Sequence, residues 1–237
     1  PQCVVLPNST EEVQAIVKLA NRYQFIFIAR GSGMINSAFP NPSQVMAAKG
    51  VIIVDPKRMD KILKVDKNNM YMVIEPYVNF AACQAEAMKV GCMFPSPPAG
   101  AQVSALANIQ WHGAYGNSWL SALGANQLLS FEVVLPNGEI LRSGSISQAG
   151  ADDWIWNDGP GPDLRGFFRG AQFGHAGGMG MVTKISMRLF PWPGPSVFPT
   201  QGDAVEKESH FPKDKVRWYM IDFPAEMQEY PKFEEKQ

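Results

Sequence analysis

Apolar positions along the chain change their spacing several times, and each change predicts an element. The short continuous run around Val4 and Val5 reads as a strand. Ser9 then stands three positions ahead of Glu12, the spacing of a helix capping box, and Val13, Ile16, Val17 and Ala20 recur at helical spacing. The run Ile26 to Ala29 returns to a strand pattern. VIIVD, ILKVD and MYMVIEP are three more β-rich runs, broken by the turn-forming stretches DPKRMD and DKNN. A helix follows over about 79–90. LLSFEVVLPNGEILRSG reads as a hairpin turning at Pro136-Asn137-Gly138. Beyond it the sequence predicts a short helix near 164–169 and a strand over about 181–189, ended by Pro191, Pro193 and Pro195. A further strand is predicted at VRWYMIDF, residues 216–223, followed by an acidic, helix-like end.

Two stretches fit neither period. ARGSGMINSA, from Ala29 to Ala38, places two glycines and a serine at the carboxyl end of a predicted strand, where open α/β sheets hold their ligands. Small residues let backbone N–H groups approach phosphate oxygens, although an ordinary strand-exit turn has the same composition, so this stretch alone leaves both readings open. MFPSPPAGAQVSALANIQWHGAYGNS is longer than a usual connection. Its small apolar residues, Trp and Tyr argue for an ordered, functional loop rather than disorder.

Composition narrows the function classes. The chain has 237 residues, 46% of them hydrophobic, a formal net charge of −1 and a pI near 6.4, so it can bury a substantial core and has no global field for nucleic acid or an anionic membrane. No apolar run approaches the roughly 18 residues of a membrane span. Cys3, Cys83 and Cys92 form no CxxC pair, and the three histidines show no zinc spacing, so a metal site is not expected. The expected setting is a reducing, cytoplasmic one. The chain opens at Pro1 already reading as the approach to a strand, which suggests an excerpt of a longer product.

Seven pieces in order, over about residues 3 to 195, resemble the FAD-binding (PCMH-type) domain of the vanillyl-alcohol oxidase and p-cresol methylhydroxylase flavoprotein superfamily. They are PNSTEEV, ARGSGM, IIVDPKRMDKILKVD, VIEPYVNF, the Pro/Gly-rich loop, EVVLPNGEILRSG and GMGMVTKI. The resemblance implies an α+β fold of two FAD-binding lobes, residues 1–95 and 96–195. Residues 196–237 are then a linker and the start of a cap domain that is truncated or separately supplied, with VRWYMIDF as its first strand.

By the same resemblance Arg30, Gly31, Ser32, Gly33, Met34, Ile35, Asn36 and Ser37 wrap the FAD pyrophosphate, Arg30 pairing with a phosphate or with a carboxylate that fixes the loop. The loop Pro97 to Asn117 is the second flavin-binding segment, with Pro98, Gly100, Ala101, Ser104, Ala107 and Gly113 against the cofactor. Glu132 to Val134 and Gly180 to Val182 resemble strands that meet the adenine end, although Val133 and Val182 read equally as sheet core. His112 stands on the flavin side as a general base or a loop anchor, with Trp111 and Tyr115 beside it as candidate catalytic residues. His175 reads as a loop anchor and His210 as solvated. Met34 replaces a histidine that some members bond to the flavin, so FAD is expected to be noncovalent. Trp111 stands where phenol-oxidising relatives carry an acidic residue, which weighs against phenol oxidation.

The implied function is FAD-dependent oxidation of a small organic substrate, an aryl alcohol, a 4-alkylphenol or a 2-hydroxy acid, by an oxidase or dehydrogenase. The rival reading is a flavin-holding, electron-transfer or scaffolding subunit without substrate chemistry. The expected partners are the substrate and another chain or the missing cap domain.

Overall fold

The computed structural model describes residues 3–32, 48–95, 100–107, 127–147, 150–151, 154 and 179–197, and the backbone of 200–201 and 208–209. The chain divides into two compact units, Pro1–Val197 and Phe198–Gln237. In the second, the two-residue strands Thr200–Gln201 and Glu208–Ser209 pair antiparallel.

The first unit opens on a three-stranded parallel sheet of β1 (Cys3–Val5), β2 (Phe25–Ala29) and β3 (Gly50–Val54), in the order β1-β3-β2. Helix α1 (Thr10–Tyr23) is the crossover from β1 to β2. Its first turn is capped as the sequence predicts, with the Glu12 amide donating to Ser9 Oγ at 3.2 Å. The Glu12 carboxylate reaches past Ser9 to accept from the Asn8 amide at 2.7 Å. At the other end Gln24 adopts φ 57°, the left-handed conformation that closes many helices. Val13, Val17 and Ala20 pack with Ile52, Val54 and Met59, and also with Val134 and Met181 of a second sheet.

That second sheet is antiparallel, with β4 (Ile62–Asp66), β5 (Tyr71–Ile74), β7 (Leu128–Val134), β8 (Ile140–Arg142) and β9 (Met181–Arg188) in the order β4-β5-β9-β7-β8. Helix α2 (Phe80–Lys89) covers one face, where Met72, Ile74, Phe131, Val133, Ile185 and Met187 meet Phe80, Cys83 and Ala87. Tyr71, Val73 and Leu129 form a smaller cluster with Trp154. Two-residue strands β6 (Cys92–Met93) and β10 (Phe190–Pro191) pair beside it. Strands from both sides of residue 95 contribute to the antiparallel sheet. β4 and β5 precede that residue, yet β5 is hydrogen-bonded to β9 along its whole length and buried throughout, so the two segments share one core. The predicted helix at 164–169 and strand at 216–223 lie outside the described residues.

Candidate functional site

The carboxyl ends of the parallel strands define one edge of the site. The ladder runs one residue past the strands, the Arg30 amide donating to Val54 O and the Asp55 amide to Val5 O, both at 2.9 Å. The chain then leaves through half-buried Gly31 and exposed Ser32. The glycine-containing segment therefore begins where a parallel sheet presents its ligand-binding edge.

Residues 100–107, the described part of the second predicted segment, are held by the start of α2. The Ala81 amide donates to Ala101 O at 2.8 Å, the Phe80 amide to Val103 O at 3.2 Å, and the Ala105 amide to Val78 O at 2.8 Å. Ser104 Oγ donates to Pro76 O at 2.6 Å and accepts from the Ala107 amide at 3.1 Å. The hydroxyl is thus committed to building the segment, and the first amides of α2 are spent on it rather than directed at a ligand.

The two segments touch. A Cβ built on Gly31 would stand 2.8 Å from Ala107 Cβ, closer than such atoms approach. At this contact Gly31 and Ala107 are half-buried and Ser32, next along the chain, is exposed. A dinucleotide needs backbone approach from two directions and side chains that do not fill its path, and the meeting of Gly31 with Ala107 fits the second requirement.

Farther along, the side chains of Val133 and Val182 are buried in the main core and the two residues are cross-strand partners. Any contact with a cofactor there must run through backbone at the strand ends. Gly180 precedes β9 with φ +126°, and a Cβ would collide with Val134 O and lie 3.2 Å from Leu135 Cα. Its missing side chain is explained by the close passage of β7.

The sequence reading missed the role of Glu132, which is 1% exposed within the fully buried strand β7. Its Oε1 accepts from Thr10 Oγ1 at 2.7 Å, Lys184 Nζ at 2.8 Å and Thr183 Oγ1 at 3.2 Å, and its Oε2 accepts from Arg142 Nε at 2.8 Å. Burial pushes the carboxyl pKa upward. The hydrogen bonds from Lys184, Thr10 and Arg142 and the Lys184 charge outweigh it and hold the pKa at about 2. The available signal was a glutamate inside a mostly apolar strand, which requires buried partners.

Of the predicted site residues, the structure brings Gly31, with Arg30 and Ser32 on either side of it in the chain, against Ala107, which Ser104 holds, while Gly100 and Ala101 lie on the same segment at the start of α2. Gly33, Met34, Ile35, Asn36, Ser37, Pro98, Trp111, His112, Gly113 and Tyr115 lie outside the described residues, as do His175 and His210.

Residues 1–144 match the sequence model of a family described as FAD binding domain. The chain is 30% identical over 200 residues to the 4-cresol dehydrogenase [hydroxylating] flavoprotein subunit of Pseudomonas putida, covering 81% of this chain and 36% of that protein. It is 26% identical over 212 residues to a mitochondrial D-lactate dehydrogenase [cytochrome] of Arabidopsis thaliana, covering 87% of this chain and 34% of the relative. Among solved structures it resembles the 4-ethylphenol oxidase of Gulosibacter chungangensis, with a TM-score of 0.65, 28% identity, and coverage of 79% of this chain and 34% of the other. The chain spans about a third of the length of the curated relatives it matches. The chain belongs to the FAD binding domain family, as a PCMH-type flavoprotein domain whose cofactor is FAD.

Proposed function

We propose that this chain is the flavin-binding part of an FAD-linked oxidase or dehydrogenase that oxidises a small organic substrate. The carrying observation is the meeting of the segment after β2 with residues 100–107, at the carboxyl edge of the parallel sheet. Bound FAD would supply the capacity to take two electrons from the substrate. The chain's own residues supply binding and orientation. Residues 30–37 hold the pyrophosphate, with Pro98, Gly100, Ala101, Ala107 and Gly113 along the second side and Ser104 fixing that side in place. Met34, in the position that carries histidine in covalently linked relatives, supports a noncovalent cofactor.

His112, flanked by Trp111 and Tyr115, takes or gives a proton at a ring nitrogen as the substrate is oxidised. The opposing wall of the substrate pocket comes from another part of the whole protein or from a partner chain. Relatives more than twice as long, one of them named as a flavoprotein subunit, support this. Their names support two substrate classes, 4-alkylphenols and 2-hydroxy acids.

The chain purified with FAD should be yellow, and acid precipitation should release the colour into the supernatant. A colourless protein after incubation with excess FAD refutes the flavin-binding role, and colour kept in the washed pellet refutes noncovalent attachment. Anaerobic mixing of the loaded chain with 4-ethylphenol, vanillyl alcohol and D-lactate should leave the flavin absorbance unchanged. Rapid, saturable bleaching by the chain alone overturns the shared pocket.

A further inference from the structure

Gly31 has a role separate from giving a phosphate room. Its backbone is not in the positive-φ region, so an L side chain is allowed there without strain. The obstacle is Ala107, whose Cβ lies 2.8 Å from the position of an added Cβ and is, among the described residues, the one heavy atom within 4 Å of it. Ala107 has little freedom to withdraw. Its amide is held by Ser104 Oγ at 3.1 Å, Ser104 Oγ is held by Pro76 O at 2.6 Å, and Ala105 is tied to Val78 O at 2.8 Å. Gly31 is held from the other side, because the Arg30 amide is part of the parallel ladder at 2.9 Å from Val54 O. Both contacting residues thus stand within a few bonds of hydrogen-bonded backbone.

From this contact we infer that Gly31 is a positioning residue: the absent side chain lets the first cofactor-binding segment dock on Ala107, and this docking sets the gap between the two segments. The inference rests on the FAD-binding reading and adds a mechanism to it. The space that Gly31 vacates is filled by the methyl of Ala107, so the pair acts as a clamp in which one methyl is shared between two backbones. An extra methyl between restrained backbones forces them apart, since packed interiors respond to overfilling by displacement. Separation here changes the spacing of donors on the two sides of the cofactor without altering any donor.

The test is a methyl swap across the contact, with four chains: wild type, Gly31→Ala, Ala107→Gly and the double variant. FAD affinity is measured by flavin fluorescence titration, and the melting temperature of each apo chain is measured separately. Gly31→Ala should weaken FAD binding by roughly 10-fold or more and lower the apo melting temperature by at least about 3 °C. Ala107→Gly removes the methyl on which the first segment docks, so on its own it should also weaken FAD binding, and the informative comparison is between Gly31→Ala and the double variant. The double variant restores the methyl count and should regain both affinity and melting temperature relative to Gly31→Ala.

Gly31→Ala binding FAD like wild type overturns the clamp, as does a double variant no better than Gly31→Ala. If Gly31→Ala does not fold, recovery of a folded, FAD-binding chain by adding Ala107→Gly carries the same proof, and failure to recover refutes it. A wild-type chain that binds no FAD removes the cofactor reading, while the four apo melting temperatures still decide whether residues 31 and 107 compete for one methyl's space.

Discussion

Replacing Glu132 by glutamine removes the charge from the most deeply buried ionic group of the described residues. The carboxylate is 2% exposed, whereas its partners Lys184 and Arg142 are 27% and 54% exposed. Because both cations can turn to water when the carboxylate is gone, the penalty for stranding a buried charge is largely avoided, and the loss is set by what the carboxylate itself gains. Its pKa falls from an ordinary 4.5 to about 2, which at about 1.36 kcal/mol per unit corresponds to roughly 3 kcal/mol of folding free energy. A depressed carboxyl pKa stabilises above the unfolded value. The contribution is complete above about pH 4.5, declines as pH falls toward 2, and is absent below it. Urea unfolding of both proteins at pH 7, 5, 4 and 3 measures the gap directly. We expect Glu132→Gln to be less stable by about 3 kcal/mol at pH 7 and 5, with the gap narrowing at pH 4 and 3. A gap that stays constant from pH 7 to pH 3 refutes the assignment, as does a gap below about 1 kcal/mol at pH 7.

Gly91 follows α2 with φ +76° and has no described atom within 4 Å of an added Cβ, so Gly91→Ala pays only for the left-handed backbone. It should lose about 1 kcal/mol in urea unfolding and leave FAD affinity within about 2-fold; a larger loss of affinity contradicts a purely helix-ending role. Gly180→Ala combines φ +126° with a collision against Val134 O, so its stability should fall by more than that of Gly91→Ala, by about 2 kcal/mol or more. Equal effects in thermal denaturation would mean that β9 can move away from β7.

Local chemistry made much of this fold legible. Ser9 and Glu12 announce α1 because a cap is a contact between near neighbours, and Pro136-Asn137-Gly138 announces the β7–β8 hairpin for the same reason, with Gly138 at φ +83°. Gly91 marks the end of α2 by the conformation that glycine alone adopts cheaply. Membership of a sheet is a different matter. Nothing between Tyr71 and Ile74 states that the partner is Ile185 to Arg188, more than a hundred residues away. Pairs as short as β6 and β10 carry no period to read. Gly31 was recognised as part of the site, but the sequence suggested a phosphate as the reason for its small size. The facing Ala107 is fixed only by the tertiary arrangement.

Helix α1 explains how two separate sheets are held in one register. Its apolar side is packed against Ile52 and Val54 of the parallel sheet and against Val134 and Met181 of the antiparallel one. Its polar contacts reach the antiparallel sheet at three heights. Thr10 Oγ1 donates to Glu132 at 2.7 Å, Gln14 Nε2 to Gly138 O at 2.6 Å, and Asn21 Nδ2 to Pro136 O at 2.6 Å. Apolar packing is weakly directional and would tolerate sliding of the helix along β7, whereas three hydrogen bonds spread over its length fix one position. The segment carrying Gly31 grows from the sheet on one side of α1, and Gly180 enters the sheet on the other. The buried Glu132 node is therefore more than a local ion pair, since it anchors the amino end of the helix that connects these two sheets.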